Sequence, residues 1–343
     1  MPRVSVVIPA YNHGRFVGEA IQSVLDQTFQ DFELIVVDDG STDHTREVVT
    51  TFPDPRVRYI YQSNRGQAAA RNAGILASGG EYVAFLDDDD VWLPTKLELQ
   101  VQVLDSQPNV ALVCSDLYVF DEESGATLGR LWHDRPFHHW IEPEEATRDP
   151  LKALLRRGCF IAPTVAMARR ESLIAVWGFD ESLERNHEDW DLFVRFCQRF
   201  AIAAIDVPLA RNRQHSTNTH RNWVYMCESS IAVYNKALRE FSLADDEIQM
   251  VERRLAGALS RYGRSLVLNG DMSLGRQKLV ASIKVRPRRT SPYVWLVGSL
   301  LGPRPVLALR SSWRRLKRGY RRGLSLSHLA SSRTRRVRVR ADR

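Results

Sequence analysis

The chain has 343 residues, of which 44% are hydrophobic and 26% are charged. This composition allows one large folded domain or two modest ones, and it excludes a chain that is disordered over most of its length. The formal net charge of +7 is unevenly placed, because residues 311–343 hold twelve Lys or Arg against one Asp and leave the rest of the chain at −4.

Three short runs of apolar and β-branched residues predict strands near the N-terminus, at residues 4–8, 33–37 and 81–86. Helical segments are predicted between the runs from apolar spacing, Ser/Thr caps or Ala-rich composition, at residues 16–27, 41–51 and 67–77. Buried strands that alternate with helices are typical of a parallel α/β sheet. We therefore predict an α/β fold for this region.

The second half of the chain is less regular. Helices are predicted at residues 95–106, 151–157 and 189–199, strands at 110–120 and near 164–168, and a polar loop at 121–150. Beyond about Asn222 the pattern is helical, with segments at 223–241, 246–269 and 273–283. These patterns predict three regions, which are an α/β domain over 1–220, a helical extension over 221–290 and a basic amphipathic tail over 291–343.

The four cysteines lie far apart in the sequence, and no C-x-x-C pair suggests a zinc or redox site. We expect free thiols in a reducing compartment, with one disulfide as the alternative. Residues 4–9 have the pattern of a strand, so no signal peptide is expected. The longest apolar stretch, residues 294–309, is interrupted by Gly, Pro and Arg and is too short to span a bilayer. These features favour a cytoplasmic chain.

Two of the three predicted strands end in acidic clusters. Asp38 and Asp39 follow the second strand, and four consecutive Asp follow the third at residues 87–90. The carboxyl ends of parallel strands meet at one edge of a sheet, where ligands bind. Adjacent carboxylates repel unless a cation screens them, and Mg²⁺ or Mn²⁺ binds carboxylate oxygens together with substrate phosphates. A metal that holds a diphosphate is therefore predicted here, with a solvated acidic turn as the alternative.

Four segments, in order, resemble the successive signatures of the family 2 (GT2) glycosyltransferases. They are residues 6–12 (VVIPAYN), 37–43 (VDDGSTD), 64–66 (NRG) with 70–74 (ARNAG), and 85–90 (FLDDDD). The resemblance covers roughly residues 3–220. It implies the GT-A fold, a nucleoside-diphosphate-sugar donor and, in most members, inversion at the anomeric carbon.

The resemblance assigns roles to the acidic residues. Asp39 matches the aspartate that recognises the base, although residues of the same segment could equally cap the next helix. Asp87 and Asp89 match the two ends of the D-x-D motif, in which Asp87 faces the ribose or the metal waters and Asp89 ligates Mn²⁺ or Mg²⁺. Asp88 stands where the family usually has a small residue, and we group it with the donor-binding residues.

Other donor-site residues follow from the same resemblance. Pro9, Tyr11 and Asn12 are expected to line the nucleotide pocket, and Arg71 is expected near the diphosphate. Arg213 and His215 lie in a basic loop that closes over the diphosphate, where they would neutralise leaving-group charge. His215 is also predicted to bind the metal. From the residues alone, an ordinary surface loop would be the favoured interpretation.

The second-half signature supplies the catalytic base. Residues 177–181 (WGFDE) and 188–192 (EDWDL) resemble it, which makes Asp189 the predicted general base that deprotonates the acceptor hydroxyl. The alternative is that Glu188 and Asp189 only open a helix, where carboxylates suit the dipole. Glu188, Trp190 and Thr164 are the predicted acceptor contacts.

The basic tail suggests a location at a membrane. Residues 291–322 combine aromatic and aliphatic residues with dense arginine, which suits attraction to anionic lipid. A solvated disordered tail is the alternative, and nucleic acid is not an expected partner because no binding motif accompanies the charge. We expect a peripheral enzyme on the inner membrane face that acts on a glycan or lipid-linked acceptor. A non-catalytic sugar-nucleotide-binding scaffold and a sugar nucleotidyltransferase are the alternative functions.

Overall fold

The computed structural model describes residues 1–134, 141, 143–183, 187–216, 218 and 222–300. The chain divides into two compact units, Met1–Leu255 and a second that begins at Ala256. The predicted boundaries after residues 220 and 290 stay predictions. Most of the predicted basic tail, from residue 301 onward, lies outside the described residues.

The sheet is built from nine strands, which are β1 (Val4–Ala10), β2 (Phe32–Asp38), β3 (Val57–Tyr61), β4 (Tyr82–Phe85), β5 (Val91–Trp92), β6 (Val110–Asp121), β7 (Thr127–Arg130), β8 (Met167–Arg169) and β9 (Ala201–Gln214). Their spatial order is β3-β2-β1-β4-β8-β6-β9-β5, and β7 pairs with β6. The pairings among β1 to β4 are all parallel. The pairings of β8 with β4 and β6, of β5 with β9 and of β6 with β7 are antiparallel, so the sheet is mixed.

Helices connect and extend the sheet. In the first unit they are α1 (Val17–Leu25), α2 (Thr45–Thr50), α3 (Gln67–Ala77), α4 (Lys96–Ser106), α5 (Pro143–Arg148), α6 (Pro150–Arg157), α7 (Arg170–Ala175), α8 (Glu188–Cys197) and α9 (Trp223–Glu240). α10 (Asp245–Leu268) begins there and continues into the second unit, where α11 (Met272–Val285) and α12 (Ser291–Leu300) follow.

The central strands form because their sequences are apolar on both faces. All seven residues of β1 are buried, and the β2 run FELIVVD is buried except for Glu33. α3 lies close to β1 because Gly74 has no side chain there, since a Cβ at this position would overlap the side chain of Val7. This close approach sets the position of Arg71, which α3 carries toward the edge of the sheet.

Most predicted elements of the first unit are present, but several were missed. β3 falls in the unassigned stretch between two predicted helices, and it is an edge strand whose residues are only partly buried. The predicted polar loop at 121–150 contains β7 and α5, and α7 and β9 were also not predicted. β9 was missed because its sequence, AIAAIDVPLARNRQ, includes Asp206 and Pro208 and shows no clean alternation.

Two other predictions concern the whole chain. All four cysteines, Cys114, Cys159, Cys197 and Cys227, are free thiols, as expected. In the part of the chain that the structure describes, no helix has the length and apolar character needed to cross a membrane.

Candidate active site

The ends of three neighbouring strands bring the acidic segments to one edge of the sheet. β1 lies between β2 and β4, and the three strands are parallel. The Asp39 N–H donates to Ala10 O at 2.8 Å, and the Leu86 N–H donates to Val7 O at 3.0 Å. The chain therefore leaves the three strands side by side, where a ligand of an α/β sheet binds.

Asp39 is buried and held by three hydrogen bonds. Its carboxylate accepts from Gln62 Nε2 at 2.7 Å, from the Arg65 N–H at 2.9 Å and from the Gly66 N–H at 2.8 Å. Gly66 has a positive φ of 90°, a backbone conformation that favours glycine, so the sequence at this position lets the loop wrap around the carboxylate. A carboxylate offers about four acceptor positions, so about one remains for a ligand.

The four Asp of residues 87–90, called the acidic turn below, alternate between buried and partly exposed positions. Asp88 is 6% exposed and Asp90 is 1% exposed, whereas the side chains of Asp87 and Asp89 are 25% and 14% exposed. The first and third residues are therefore the ones that can reach a ligand without rearrangement of the turn. They are also the two that the family resemblance assigns to the D-x-D motif.

Asp90 fixes the shape of the acidic turn. Its carboxylate accepts hydrogen bonds from the Thr164 hydroxyl at 2.7 Å, the Asn212 amide at 3.0 Å and the Arg213 N–H at 3.0 Å. Burial, together with the charges of the neighbouring carboxylates, raises the pKa of Asp90 well above its ordinary value. Asp90 thus joins the turn to β9 and to the segment before β8.

Asp88 faces the loop that follows β1. Its carboxylate accepts the Tyr11 N–H at 3.1 Å and pairs with His13 Nδ1 at 2.7 Å. Burial raises the pKa of Asp88 to about 6, and the hydrogen bond to Asp88 raises the pKa of His13 to about 9. Asp88 and His13 are thus each other's principal side-chain partner in this loop. Sequence reasoning did not single out His13.

Asp89 and His215 bring an oxygen and a nitrogen ligand together. Asp89 Oδ2 lies 2.9 Å from His215 Nε2, and the Asn218 amide lies 3.3 Å from the same oxygen. In an octahedral Mg²⁺ site with ligands at about 2.1 Å, ligands at right angles are about 3.0 Å apart. Carboxylate suits Mg²⁺ and Mn²⁺, and imidazole is a common metal ligand. The residues present therefore fit a divalent ion.

Arg71 connects the acidic turn to the start of α8. Its guanidinium is 2% exposed and donates to Asp87 Oδ1 and to Glu188 Oε1, both at 2.7 Å. The Phe179 ring lies 5.1 Å from the guanidinium carbon. Burial raises the pKa of Glu188 despite this partner. Arg71 thus lies beside the predicted D-x-D residue, but carboxylates of the protein already occupy its two terminal nitrogens.

Asp189, the predicted base, lies in the first turn of α8. Its carboxylate accepts the Trp190 N–H at 2.6 Å and contacts the Cys159 thiol. Burial raises the pKa of Asp189 above its ordinary value and outweighs the lowering effects of these hydrogen bonds and of the Arg71 charge. A raised pKa suits a carboxylate that must accept a proton during catalysis.

Two predicted acceptor contacts do not fit their positions. Thr164 and Trp190 are each 1% exposed. The Thr164 hydroxyl donates to Asp90, and the Trp190 indole packs against the Tyr234 ring and donates to Leu154 O at 3.2 Å. Both side chains are therefore core residues, and the folded chain keeps them away from solvent.

Arg213 also differs from its predicted position over the diphosphate. Its guanidinium pairs with Glu122 at 2.5 Å and with Glu19, and it lies between the rings of Phe16 and Phe120. The side chain is 6% exposed. The guanidinium that was predicted to neutralise the donor diphosphate is therefore paired with Glu122 and Glu19. Arg213 holds the end of β9 in place.

A second group of acidic and histidine side chains was not identified from the sequence. The ligand atoms of Asp116, His133 and Asp206 lie within 4.8 Å of one another, a spacing that could hold a metal ion. The Arg130 guanidinium already donates to Asp116 at 2.7 Å and to Asp206 at 2.8 Å. One guanidinium therefore already bridges the two carboxylates, and the group forms an ion-pair network between β6, β7 and β9.

A cavity of about 380 Å³ opens beside the loop after β1, a size in the range of ligand pockets. Its lining is mixed in charge and consists of Asn12, His13, Arg15, Phe16, Asp121, Glu122, Glu123, Gln214, His215 and Ser216. Two residues predicted for the donor site, Asn12 and His215, therefore share one open space. Tyr11, beside them, is 48% exposed.

Solved structures with this architecture define the class of the fold. TarS 1–349 of S. aureus in complex with UDP-GlcNAc has a TM-score of 0.59 at 19% identity, covering 94% of this chain and 92% of that chain. The mannosyltransferase PcManGT of Pyrobaculum calidifontis, in complex with GDP-Man and Mn²⁺, has a TM-score of 0.55 at 20% identity, covering 90% and 83%. The fold is that of the GT-A glycosyltransferases, as predicted.

The chain belongs to glycosyl transferase family 2, whose profile matches residues 5–177. This confirms the family resemblance and the predicted enzyme class. An uncharacterized glycosyltransferase of Nostoc sp. is 37% identical over 228 residues, or 64% of this chain, and the match spans 66% of the Nostoc protein. The E. coli protein WfgD, a UDP-Glc:alpha-D-GlcNAc-diphosphoundecaprenol beta-1,3-glucosyltransferase, is 40% identical over 102 residues, or 29% of this chain and 40% of WfgD.

Proposed function

We propose that this chain is a metal-dependent inverting glycosyltransferase that moves a sugar from a nucleoside-diphosphate sugar to a hydroxyl of a glycan or lipid-linked acceptor. The observation that carries the proposal is the pairing of Asp89 with His215 at one end of the acidic turn, while Asp87 at the other end is joined through Arg71 to the helix that bears Asp189. The acidic turn, Arg71 and the start of α8 thus connect the proposed metal pair to the candidate base.

The donor class is supported by the neighbours. One structure of the same fold holds UDP-GlcNAc and another holds GDP-Man with Mn²⁺. In this chain the donor would lie beside the half-exposed Tyr11, with Asn12 at its edge and Asp39 toward the base. The name of the E. coli relative supports a diphosphoundecaprenol-linked acceptor, and hence a role in cell-surface polysaccharide or glycolipid biosynthesis.

Asp89 and His215 would hold Mn²⁺ or Mg²⁺, and Asp87 would face the ribose or the metal waters, as the family resemblance implies. The ion would supply positive charge that stabilises the leaving nucleoside diphosphate. Arg71 and Glu188 then act as supports. The buried guanidinium holds Asp87 in place, and its other nitrogen fixes the start of α8 on which Asp189 sits.

Asp189 would accept the proton of the acceptor hydroxyl. The acceptor oxygen forms the bond to the anomeric carbon as the bond to the diphosphate oxygen breaks, which inverts that carbon. Because burial raises the pKa of Asp189, the residue retains a proton to a higher pH than an ordinary aspartate. The rate of transfer is therefore expected to fall as the pH is lowered through this raised pKa, and to recover above it.

Asp189→Asn tests the assignment of the base. The substitution removes proton acceptance with little change of shape, so transfer should fall by about 100-fold or more while donor affinity stays close to wild type. Transfer would be measured with radiolabelled sugar nucleotides, and donor affinity by thermal shift. Glu171→Gln, which neutralises an exposed carboxylate on α7, is the matched control and should keep full activity.

Two outcomes would contradict this proposal. Equal losses of donor binding and turnover in Asp189→Asn would remove Asp189 from the role of base. Absence of donor hydrolysis or transfer by the wild-type chain, with Mn²⁺ and with chelator alike, would favour the non-catalytic scaffold.

We also infer that the chain works as a peripheral protein on the inner face of the membrane. α12 exposes four apolar side chains at helical spacing, which are Tyr293, Val294, Val297 and Leu300, each between 42% and 63% exposed. The sequence that follows this helix is strongly basic, with a formal charge of +11 over residues 311–343. An apolar helix face next to dense positive charge suits an anionic bilayer.

Vesicle flotation tests the membrane proposal. The full chain should float with vesicles that contain phosphatidylserine and much less with pure phosphatidylcholine. The double variant Val294→Asp with Val297→Asp should bind less, whereas Ser273→Asp with Gln277→Asp, on exposed positions of α11, should bind as wild type. Equal flotation of all three proteins would exclude α12 as the contact.

A further inference from the structure

The acidic turn carries one more charge than its proposed chemistry uses. Asp87 and Asp89 are the partly exposed residues of the turn, and Asp90 is occupied by Thr164 and β9. Asp88 remains, and it is buried at 6% exposure between two carboxylates. A buried carboxylate in such surroundings needs a compensating partner to stay ionised, because burial and repulsion both oppose its ionisation.

His13 is that partner. Its Nδ1 lies 2.7 Å from Asp88 Oδ1, while Asp88 Oδ2 accepts the Tyr11 N–H at 3.1 Å. Both carboxylate oxygens are therefore bonded to a single three-residue stretch, residues 11–13, that follows β1. For Asp88 to contact the donor or the metal, these bonds would have to break.

The segment that follows β2 holds the other side of residues 11–13. Asn12 has a positive φ of 54°, and its side-chain oxygen accepts the Thr42 N–H at 2.7 Å while its own N–H donates to the Ser41 hydroxyl at 3.0 Å. An aspartate or asparagine tolerates this backbone region better than most residues. Residues 11–13 thus lie between two acidic segments. Asp88 of the acidic turn holds them on one side, and the segment that follows β2 holds them on the other.

His13 also lies next to the metal pair. Its ring centroid is 5.7 Å from that of His215, in an edge-on arrangement, and both rings pack against Phe16. Any movement of His13 would therefore disturb the packing of the imidazole that faces Asp89. Two separate contacts, one through Asp88 and one through His215, join the loop after β1 to the proposed metal ligands.

We propose that His13 and Asp88 form a positioning pair that couples nucleotide binding at Tyr11 and Asn12 to metal binding at Asp89 and His215. The inference rests on the proposed function. In this arrangement Asp88 is a positioning residue and not a donor contact. Binding of either ligand fixes the loop and the acidic turn in one shared arrangement, so each ligand should increase the affinity for the other by the same factor.

The test is a double-mutant cycle on the full chain. The dissociation constants of UDP and of GDP would be measured by calorimetry with MnCl₂ and with EDTA, for wild type, His13→Ala, Asp88→Ala and the double variant. The ratio of affinity with and without Mn²⁺ is the readout, because a merely structural loss would weaken both conditions alike.

Loss of the pair should lower that ratio by about tenfold in each single variant, the effect of one charge-assisted hydrogen bond. The double variant should be no worse than the more affected single variant, because residues that act as a pair are not additive. His13→Asn, which places an amide donor near the position of Nδ1, should recover the ratio to within about threefold of wild type.

A second variant guards against loss of folding. Asp88→Asn keeps an acceptor for the Tyr11 N–H and removes the charge, so its melting temperature should stay near that of wild type while the ratio falls. Glu47→Gln is the control, since it removes an exposed charge on α2 that does not line the cavity.

Three results would overturn the inference. An unchanged ratio in all variants would make the pair structural only. If the effects of the two substitutions on the ratio multiply independently, and if Asp88→Ala requires more metal whereas His13→Ala does not, Asp88 is a metal ligand. If the wild-type chain binds neither UDP nor GDP in MnCl₂, the proposed function fails, and the coupling fails with it.

Discussion

The acidic segments that follow β2 (Asp38 and Asp39) and β4 (residues 87–90), called the β2 exit and the β4 exit, use aspartate in different ways. At the end of β2, Asp38 and Asp39 accept hydrogen bonds from the uncharged groups of a hydroxyl, a side-chain amide and backbone N–H groups. At the end of β4, the four carboxylates of the acidic turn have Arg71, His13, His215 and the buried β9 donors as separate partners.

The difference follows from charge density. Two adjacent carboxylates can be held by backbone and amide dipoles, whereas four cannot remain close together without cations. In the acidic turn the protein supplies positive charge to Asp87 and Asp88 and leaves Asp89 facing an imidazole that can also bind metal. The β2 exit is therefore a fixed hydrogen-bonding surface, whereas the β4 exit carries the Asp89–His215 pair at which the proposed cation would bind.

The largest expected effect comes from neutralising one carboxylate at each of the two exits. Asp89→Asn removes the charge that a metal requires, so activity should fall by about 100-fold or more, and added Mn²⁺ should restore little. Asp39→Asn should instead weaken donor binding, while at saturating donor the response of the remaining activity to Mn²⁺ keeps its wild-type midpoint. Metal titrations of transfer activity for both variants would measure the contrast. Similar Mn²⁺ midpoints in the two variants would argue against separate roles.

A smaller effect concerns stability. Asp90→Ala leaves the buried Thr164 hydroxyl and the Arg213 N–H without an acceptor, so the free energy of unfolding should fall by about 2 kcal/mol, with relief of carboxylate repulsion as the opposing term. Asp38→Ala, the matched change at the other exit, should cost about 1 kcal/mol, because Tyr59 and Ser41 are partly exposed and can bond to water. Urea denaturation in EDTA would compare them, and a larger loss for Asp38→Ala would contradict this ranking.

The fold was predictable where one sequence pattern decides the structure. β1, β2 and β4 are largely apolar and, apart from Glu33, are buried on both faces, so their strands and the helices between them followed from pattern alone. β3 and β9 were not predictable in this way. β3 is an edge strand with the exposed Arg58, and β9 pairs with β6 through register shifts near Pro208. Their stability comes from neighbouring strands that are distant in sequence.

The sequence predicts which acidic residues lie at the edge of the sheet, and it does not predict the side chains that contact them. Asp39 follows the carboxyl end of β2, and Asp87 and Asp89 lie just beyond that of β4, so the parallel strand order places all three at one edge of the sheet. Their contacts depend on residues far along the chain, such as His215, which is 126 positions from Asp89. The burial of Thr164 and Trp190 likewise depends on packing that no local motif records, which is why their predicted contacts with an acceptor do not match the structure.

The smallest expected effect tests how firmly the β2 exit is held. Gln62→Ala removes the single side-chain donor to Asp39 and leaves the two backbone donors in place, so binding of UDP or GDP in Mn²⁺ should weaken about fivefold, the typical effect of one hydrogen bond. Arg65→Ala is the control, because its N–H still reaches Asp39 while its guanidinium pairs with Glu181. Isothermal calorimetry would measure both. If the Arg65 variant loses as much affinity as the Gln62 variant, the fixed carboxylate of Asp39 does not set donor affinity, since in that variant all three of its hydrogen bonds remain.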